Sequence, residues 1–165
     1  MKKYLCIFLF FIIAVSGAMA QNIDTTDKHI LFAYEINDKN IDPWRTYFRN
    51  EFTSSNYTFE EIEASKLSTI SLSNYDYIIV YGAVMAFTSK EPIRDWLNTK
   101  PKFAGKNVWL FVTANRWFLK KYNDQLLDLL KKADATIVDV VSTATKKLND
   151  REKQQLVHTY VEKIK

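Results

Sequence analysis

Residues with the types and spacing needed for catalysis or metal binding are scarce in this chain of 165 residues. The two histidines, His29 and His158, lie far apart, and neither has a His, Cys or carboxylate partner at a spacing typical of metal sites. No Gly-x-Ser-x-Gly nucleophile motif and no phosphate-loop lysine motif occurs. The sequence therefore contains no self-sufficient catalytic motif, and a hydrolase or amidase-like enzyme is disfavoured.

Composition and charge narrow the class of protein further. The chain is 47% hydrophobic and 25% charged without a low-complexity tract, which is typical of a globular domain and not of a disordered or fibrous protein. Aromatic residues make up 15% of it and predict a large core. The formal net charge is +4, but basic and acidic residues are interleaved, so that no basic stripe for nucleic acid is expected.

The first 20 residues have the pattern of a secretory signal. Lys2 and Lys3 precede an apolar run from Tyr4 to Val15, and Ala18-Met19-Ala20 supplies a small-x-small cleavage site. We therefore expect a signal peptide at 1–20, one domain at 21–165, and a periplasmic or extracellular location. Cleavage would leave no membrane span and no cysteine, because the only cysteine, Cys6, lies in the apolar run.

Short apolar runs alternate with segments of helical periodicity, and this alternation predicts the architecture. Runs rich in β-branched and aromatic residues are typical of strands that are covered on both faces, as in parallel sheets. Four such runs occupy residues 29–34, 77–81, 108–112 and 136–141. A fifth segment, Tyr57 to Ile62, carries Glu60 and Glu61 and is predicted to be an edge strand with solvated acids.

Four other segments have apolar residues at helical spacing. A capping residue is predicted at the start of the first, second and last of these segments. In the last segment, Glu152 completes a capping box. Strands that alternate with helices through right-handed crossovers predict one α/β domain, three-layer, with a five-stranded parallel sheet. The two glycines after residue 20, Gly82 and Gly105, are expected in turns. The helices are predicted to begin at Asp42, Ser89, about Arg116 and Asn149.

The central part of the sequence resembles flavodoxins. Tyr75 to Val84 is similar to their third strand with its preceding Tyr-Asp pair and following Gly-small-apolar turn, and Phe103 to Thr113 is similar to their Gly-Lys turn and fourth strand. Within the superfamily, this block looks most like flavodoxin domains of the protoporphyrinogen dehydrogenase type. The resemblance implies a strand order of 2-1-3-4-5 and FMN at the carboxyl ends of the strands, where open α/β sheets bind ligands in general.

The resemblance also implies which loops would contact the cofactor. Phe87 and Trp117 would flank the flavin ring, and Lys39 would contact the phosphate. The redox chemistry would belong to the FMN, and a redox partner protein would exchange electrons with it. The complete set of implied cofactor-binding residues is Asn37, Lys39, Asn40, Ala83, Val84, Met85, Ala86, Phe87, Thr113, Ala114, Asn115 and Trp117.

The first of these loops departs from the family pattern. Flavodoxins surround the phosphate with Ser, Thr and Gly, because a phosphate needs many donors at close approach. The segment from Glu35 to Pro43 contains none of the three residue types and has acids at Glu35, Asp38 and Asp42. A second hypothesis therefore stays open, in which the fold is a flavin-free binding or interaction module. In that case Met85, Phe87 and Trp117 cap the sheet and pack on helices.

Overall fold

Strands and helices alternate along the part of the chain that the computed structural model describes, which is residues 27–35, 41–54, 57–84, 91–114, 119–144 and 147–164. The predicted signal peptide lies outside these residues. The strands are β1 (Lys28–Tyr34), β2 (Tyr57–Glu63), β3 (Tyr77–Val84), β4 (Asn107–Ala114) and β5 (Thr136–Ala144). The helices are α1 (Ile41–Thr53), α2 (Pro92–Asn98), α3 (Leu119–Lys132) and α4 (Asp150–Val161). Two 3-10 helices, Ala64–Thr69 and Leu72–Asn74, join β2 to β3.

The five strands form one parallel sheet in the order β2-β1-β3-β4-β5. This confirms the predicted α/β architecture and its strand order. The order follows from two directions of winding: the chain moves from β1 outward to β2, crosses back past β1, and then adds β3, β4 and β5 on the other side.

The two faces of the sheet carry different kinds of side chain. Because successive residues of a strand point to opposite faces, Leu31 and Ala33 face α2 and α3, whereas Ile30, Phe32 and Tyr34 face α1 and α4. The first face is mainly aliphatic and packs on α2, α3 and the two 3-10 helices. The second face is strongly aromatic. Both faces are covered over β1, β3 and β4, which explains why these strands read as continuous apolar runs. The prediction that the run at 136–141 is covered on both faces is wrong, because β5 is an edge strand without a buried residue and Val138 is 46% exposed.

Aromatic rings interlock on the α1 and α4 face. The ring of Phe48 on α1 lies 4.9 Å from that of Phe32 and 5.4 Å from that of Phe111, measured between centroids. Phe111 in turn lies 5.5 Å from Tyr160 on α4 and 5.1 Å from Trp44 on α1. Tilted and edge-to-face contacts of this kind are favourable beyond the area that they bury. This cluster holds both helices against the sheet.

Three of the predicted helix starts can be compared with the described residues. The capping box at Asn149 is confirmed: its side chain accepts the N–H of Glu152, and the Glu152 side chain accepts the N–H of Asn149. The prediction that Ser89 caps α2 is wrong, because α2 begins at Pro92 and Glu91 occupies the cap position without a side-chain capping bond. The prediction for Asp42 is also wrong, since α1 begins at Ile41 and Asp42 lies in its first turn.

Glycine is required at positions 82 and 105 for different structural reasons. Gly105 lies in a turn with φ of +74°, as expected. The prediction of a turn at Gly82 is wrong, because this residue lies inside β3. A Cβ atom there would lie 2.8 Å from Cδ1 of Leu126 and 3.2 Å from Cε1 of Tyr122. Gly82 is therefore required by the close approach of α3 to the sheet and not by backbone conformation.

Candidate functional site at the carboxyl edge of the sheet

The carboxyl ends of β1, β3 and β4 lie side by side in the centre of the sheet. Parallel pairing places Ala83 beside Thr113 and Val84 beside Ala114. The helices that follow β1 and β3 pack on opposite faces, α1 on the aromatic face and α2 on the aliphatic face. The boundary between β1 and β3 is therefore the topological switch point, which is where open α/β sheets bind ligands.

Four of the twelve predicted cofactor-binding residues belong to the described part of the chain, and the structure brings them together as these two adjacent pairs. Their closeness results from the strand register, which the sequence alone did not reveal. The other eight predicted residues lie outside the described residues. They are Asn37, Lys39, Asn40, Met85, Ala86, Phe87, Asn115 and Trp117.

Two of the three strands on this side of the switch point, β4 and β5, end in alanine, whereas β3 ends in Val84 after Ala83. Ala83 and Ala114 are each 3% exposed, and Ala144 of β5 pairs with Ala114. A methyl side chain allows a ligand at the edge to approach the backbone closely. The described ends of β4 and β5 therefore carry no bulky side chain.

Thr113 uses its side chain inside the protein. Its hydroxyl lies 2.8 Å from the hydroxyl of Tyr81, and both side chains are buried. A buried hydroxyl pair of this kind fixes the end of β4 against the neighbouring strand β3. Any ligand contact of Thr113 is therefore expected from its backbone.

A buried carboxyl group links three elements beneath the edge. Glu35 directly follows β1 and is 1% exposed. Its Oε2 accepts the N–H of Ala83 at 3.2 Å, and its Oε1 accepts the N–H of Ile93 at 3.2 Å and the hydroxyl of Tyr122 at 3.1 Å. One side chain thus joins the end of β1 to the end of β3, the first turn of α2, and α3.

Burial controls the charge state of this carboxyl group. Loss of solvation raises the pKa of Glu35 from its ordinary 4.5 to about 7. The hydrogen bonds from Ala83, Ile93 and Tyr122 favour the charged form and oppose part of that rise, whereas the nearby carboxylate of Glu91 adds to it. Perturbed titratable groups cluster at functional sites, so that Glu35 is a candidate for a functional role as well as a structural one.

The surroundings of Glu35 contain both signs of charge. Arg94 Nη1 lies 2.7 Å from Glu91 Oε2, so that this ion pair accompanies the buried carboxyl group at the start of α2. Burial, followed by the charge of Glu35, raises the pKa of Tyr122 far above its ordinary value. Tyr122 therefore stays protonated and remains a hydrogen-bond donor at every physiological pH.

Two arginines of α1, on the aromatic face of the sheet, form ion pairs within the protein. Arg45 on α1 lies 4.5 Å above the ring of Tyr34, and its Nε lies 2.6 Å from Glu61 Oε2. Arg49 Nη2 lies 2.6 Å from the other oxygen of Glu61, whose side chain is 11% exposed. The prediction of a solvated acid on β2 is therefore wrong for Glu61, because its carboxylate pairs with both arginines of α1.

Three further observations concern other kinds of site. Among the residues whose positions the structure describes, no group of three or more His, Cys, Asp or Glu side chains is placed to hold a metal ion. In the same residues, no helix has both the length and the apolar content that crossing a bilayer requires. A cavity of about 430 Å³ lies away from the carboxyl edge, between the 3-10 helices and the end of α2, with Leu67, Ser71 and Trp96 in its lining.

Comparison with solved structures identifies the fold. No protein-family model and no curated protein matches the chain significantly. A flavodoxin of Fusobacterium nucleatum bound to flavin mononucleotide matches with a TM-score of 0.65 at 11% identity, covering 83% of this chain and 96% of that one. Oxidised flavodoxin 2 of Bacillus cereus matches with a TM-score of 0.65 at 17% identity, covering 82% and 99%.

A third solved structure is similar over the same range. It is general stress protein 14 of Treponema denticola in complex with FMN, with a TM-score of 0.53 at 14% identity, covering 82% of this chain and 96% of that one. At these identities the similarity establishes the fold, and the fold is flavodoxin-like. The resemblance that the central residues carry in the sequence is confirmed at this level.

Sequence reasoning missed the residues that organise the edge from below, above all Glu35 and Tyr122. From the sequence, Glu35 is predicted to lie in a loop whose acids oppose a phosphate. A signal was nevertheless present, because residue 35 continues the alternating face of Leu31 and Ala33 by one more step. A side chain at that position points to the face that α2 and α3 cover. Its partners on α2 and α3 lie 58 and 87 positions away and could not be read from the sequence.

Proposed function

We propose that this chain is an exported flavodoxin-like protein that binds FMN noncovalently at the carboxyl edge of its sheet and exchanges electrons with a redox partner protein. The observation that supports this most is the switch point between β1 and β3, beside which Ala83 pairs with Thr113 and Val84 with Ala114 at the ends of β3 and β4. Two of the solved structures with the same fold are described as holding FMN. FMN would supply the electron transfer itself.

The described residues fit a flavin ring at this edge. Ala83 and Ala114 have small side chains, and backbone groups from Ala83 and Thr113 onward would bond the polar edge of the ring, except for the Ala83 N–H, which Glu35 accepts. The rings of Phe87 and Trp117 would flank it and exclude water, with Val84, Met85, Ala86 and Asn115 completing the two loops. Glu35 stays out of direct contact, because its carboxyl group is occupied beneath the edge.

The phosphate would be held by the loop that follows β1. Lys39 would supply the positive charge, with Asn37 and Asn40 as hydrogen-bond donors. Asp38 opposes an anion in the same loop, so that the contribution of the phosphate to affinity is expected to be small. Two arginines on α1, Arg45 and Arg49, pair with Glu61 and Asp42 and would not replace Lys39.

The proposal is tested by titrating FMN and riboflavin into the purified domain while flavin fluorescence and thermal stability are recorded. Saturable quenching together with a raised melting temperature is expected for FMN, because a ligand that binds only the folded state stabilises it. Trp117→Ala and Phe87→Ala should weaken binding of both flavins. Lys39→Ala should weaken binding of FMN alone.

A matched control is Tyr57→Ala, which removes a partly exposed aromatic ring at the amino end of β2, on the opposite edge of the sheet. This variant should bind both flavins as the unmodified chain does. No quenching and no thermal shift at high micromolar FMN would overturn the proposal. The flavodoxin-like fold would then serve as a flavin-free binding module.

Export is tested separately. Expression of the full chain in a bacterial host, followed by fractionation and mass spectrometry, should find a protein that begins at Gln21 outside the cytoplasm. Retention of residues 1–20 on a cytoplasmic protein would contradict this part of the proposal and leave FMN binding unaffected.

A further inference from the structure

One carboxyl group holds the start of α2 against the end of β3. Ile93 is the second residue of α2, and a backbone N–H in the first turn of a helix has no acceptor within that helix. Glu35 supplies the acceptor with Oε1, and its Oε2 accepts the N–H of Ala83 on β3. Both bonds are buried. If the carboxyl group were removed, neither a protein acceptor at this position nor water would accept the hydrogen bonds of these two N–H groups.

We propose that Glu35 is a positioning residue that fixes the end of β3 against the starts of α2 and α3, and that binding of an anion at the carboxyl edge is linked to uptake of a proton by its carboxyl group. The second part rests on the proposed function, because FMN is the anion that it names. The first part concerns the protein without ligand.

The proton linkage follows from the charges that face Glu35. From α3 it meets the Tyr122 hydroxyl, which donates to it; from the start of α2 it meets the carboxylate of Glu91, which Arg94 partly neutralises. From β3 it meets only a backbone N–H. No cation forms a direct pair with Glu35 among the described residues, so that a further negative charge near the edge would act on its charge state.

These surroundings leave the carboxyl group balanced between its two charge states. Burial raises the pKa of Glu35 to about 7, which places the change of charge within the physiological range. The phosphate of FMN at the same edge disfavours a charged Glu35 and so favours its protonated form. Because linkage is reciprocal, the protonated form of Glu35 must bind FMN more tightly. Affinity for FMN is therefore expected to fall as pH rises through 7.

The experiment compares the unmodified chain with Glu35→Gln and with Asp128→Asn. The control residue Asp128 carries the same charge on an exposed part of α3, where it pairs with Lys132. Dissociation constants for FMN and riboflavin are measured between pH 6 and pH 8. Each FMN value is divided by the riboflavin value, and the profiles of the three proteins are compared, because titration of the free phosphate is common to all of them.

In the unmodified chain and in Asp128→Asn, this ratio should rise about fivefold more between pH 6 and pH 8 than in Glu35→Gln. If all three profiles coincide while FMN binds, the proton linkage is wrong and the proposed function stands. If FMN binds none of them at any pH, the linkage fails together with the proposed function.

Positioning is tested without any ligand, by amide hydrogen exchange of Ala83 and Ile93 in the same three proteins. A glutamine side chain has one acceptor oxygen and cannot accept both N–H groups through separate oxygens. At least one of the two amides should therefore lose protection by tenfold or more in Glu35→Gln, and neither should do so in Asp128→Asn. Unchanged protection of both amides in Glu35→Gln would overturn the positioning role, whatever the outcome with FMN.

Discussion

The carboxyl group of Glu35 and the hydroxyl group of Tyr122 lie 3.1 Å apart, although 87 positions separate them in the sequence. This contact connects the end of β1, at one side of the switch point, to α3, which follows β4. The two strands are not neighbours, because β3 lies between them. The contact therefore passes beneath β3. It links the two sides of the carboxyl edge through one hydrogen bond.

Stability should depend on pH through Glu35. The pKa of its carboxyl group is about 7 in the folded protein and 4.5 ordinarily, so that between these values the folded state binds more protons than the unfolded state. The contribution of Glu35 to the free energy of unfolding is therefore complete below pH 4.5 and decreases by about 3 kcal/mol as pH rises through 7. Urea unfolding at pH 5, 6, 7 and 8 measures it as the difference between the unmodified chain and Glu35→Gln. A difference that stays constant across this range would contradict the prediction.

Gly82→Ala should destabilise the protein by about 1–2 kcal/mol through overpacking. The new methyl group would lie 2.8 Å from Cδ1 of Leu126 and would press on the ring of Tyr122, which holds Glu35. Thermal and urea unfolding measure the change. The shorter side chain in Leu126→Ala makes room, so that the double variant should be more stable than the sum of the two single effects predicts.

Gly105→Ala is the matched control for that substitution. Nothing lies within 4 Å of a Cβ atom at this position, but its φ of +74° strains any residue other than glycine. A cost of about 1 kcal/mol is expected here as well, and Leu126→Ala should leave it unchanged. Equal non-additivity at both glycines would show that the close approach of α3 is not the reason for Gly82.

The hydroxyl pair of Tyr81 and Thr113 should show a measurable coupling. Tyr81→Phe and Thr113→Val each remove one partner from a buried bond of 2.8 Å and are expected to cost about 1–2 kcal/mol. The double variant should cost less than the sum by about 1 kcal/mol, as measured in a double-mutant cycle by urea unfolding. Thr113→Ser keeps the hydroxyl and should show only the loss of its methyl group. Strictly additive effects would mean that the two hydroxyls do not depend on each other.

Glu61→Gln should destabilise the β2 edge by about 1 kcal/mol at low ionic strength. The substitution leaves Arg45 and Arg49 facing each other without the carboxylate that pairs with both, and salt should reduce the effect because the arginines are partly exposed. Asp124→Asn breaks an exposed pair with Lys120 and serves as the control, with an expected change below about 0.5 kcal/mol. Urea unfolding at low salt and in 1 M NaCl measures both. An effect of Glu61→Gln that is independent of salt would exclude the electrostatic explanation.

The elements of this protein could be predicted from local patterns because each of them leaves a local signal. Apolar runs marked the three covered strands and β5, the acids of Glu60 and Glu61 marked the β2 edge, and the pair Asn149 and Glu152 marked the start of α4. The alternation of strands and helices predicted the parallel sheet, since a parallel connection needs a crossover. These are properties of neighbouring residues, which the sequence contains directly.

What only the tertiary structure decided is how distant residues meet at the carboxyl edge. The register that pairs Ala83 with Thr113 follows from the packing of whole strands, and the close approach of α3 explains a glycine that local reasoning placed in a turn. The role of Glu35 depends on backbone groups 48 and 58 positions away and on burial, which changes its charge state. A sequence records that residue 35 is an acid, but whether that acid is solvated or buried is set by everything that folds around it.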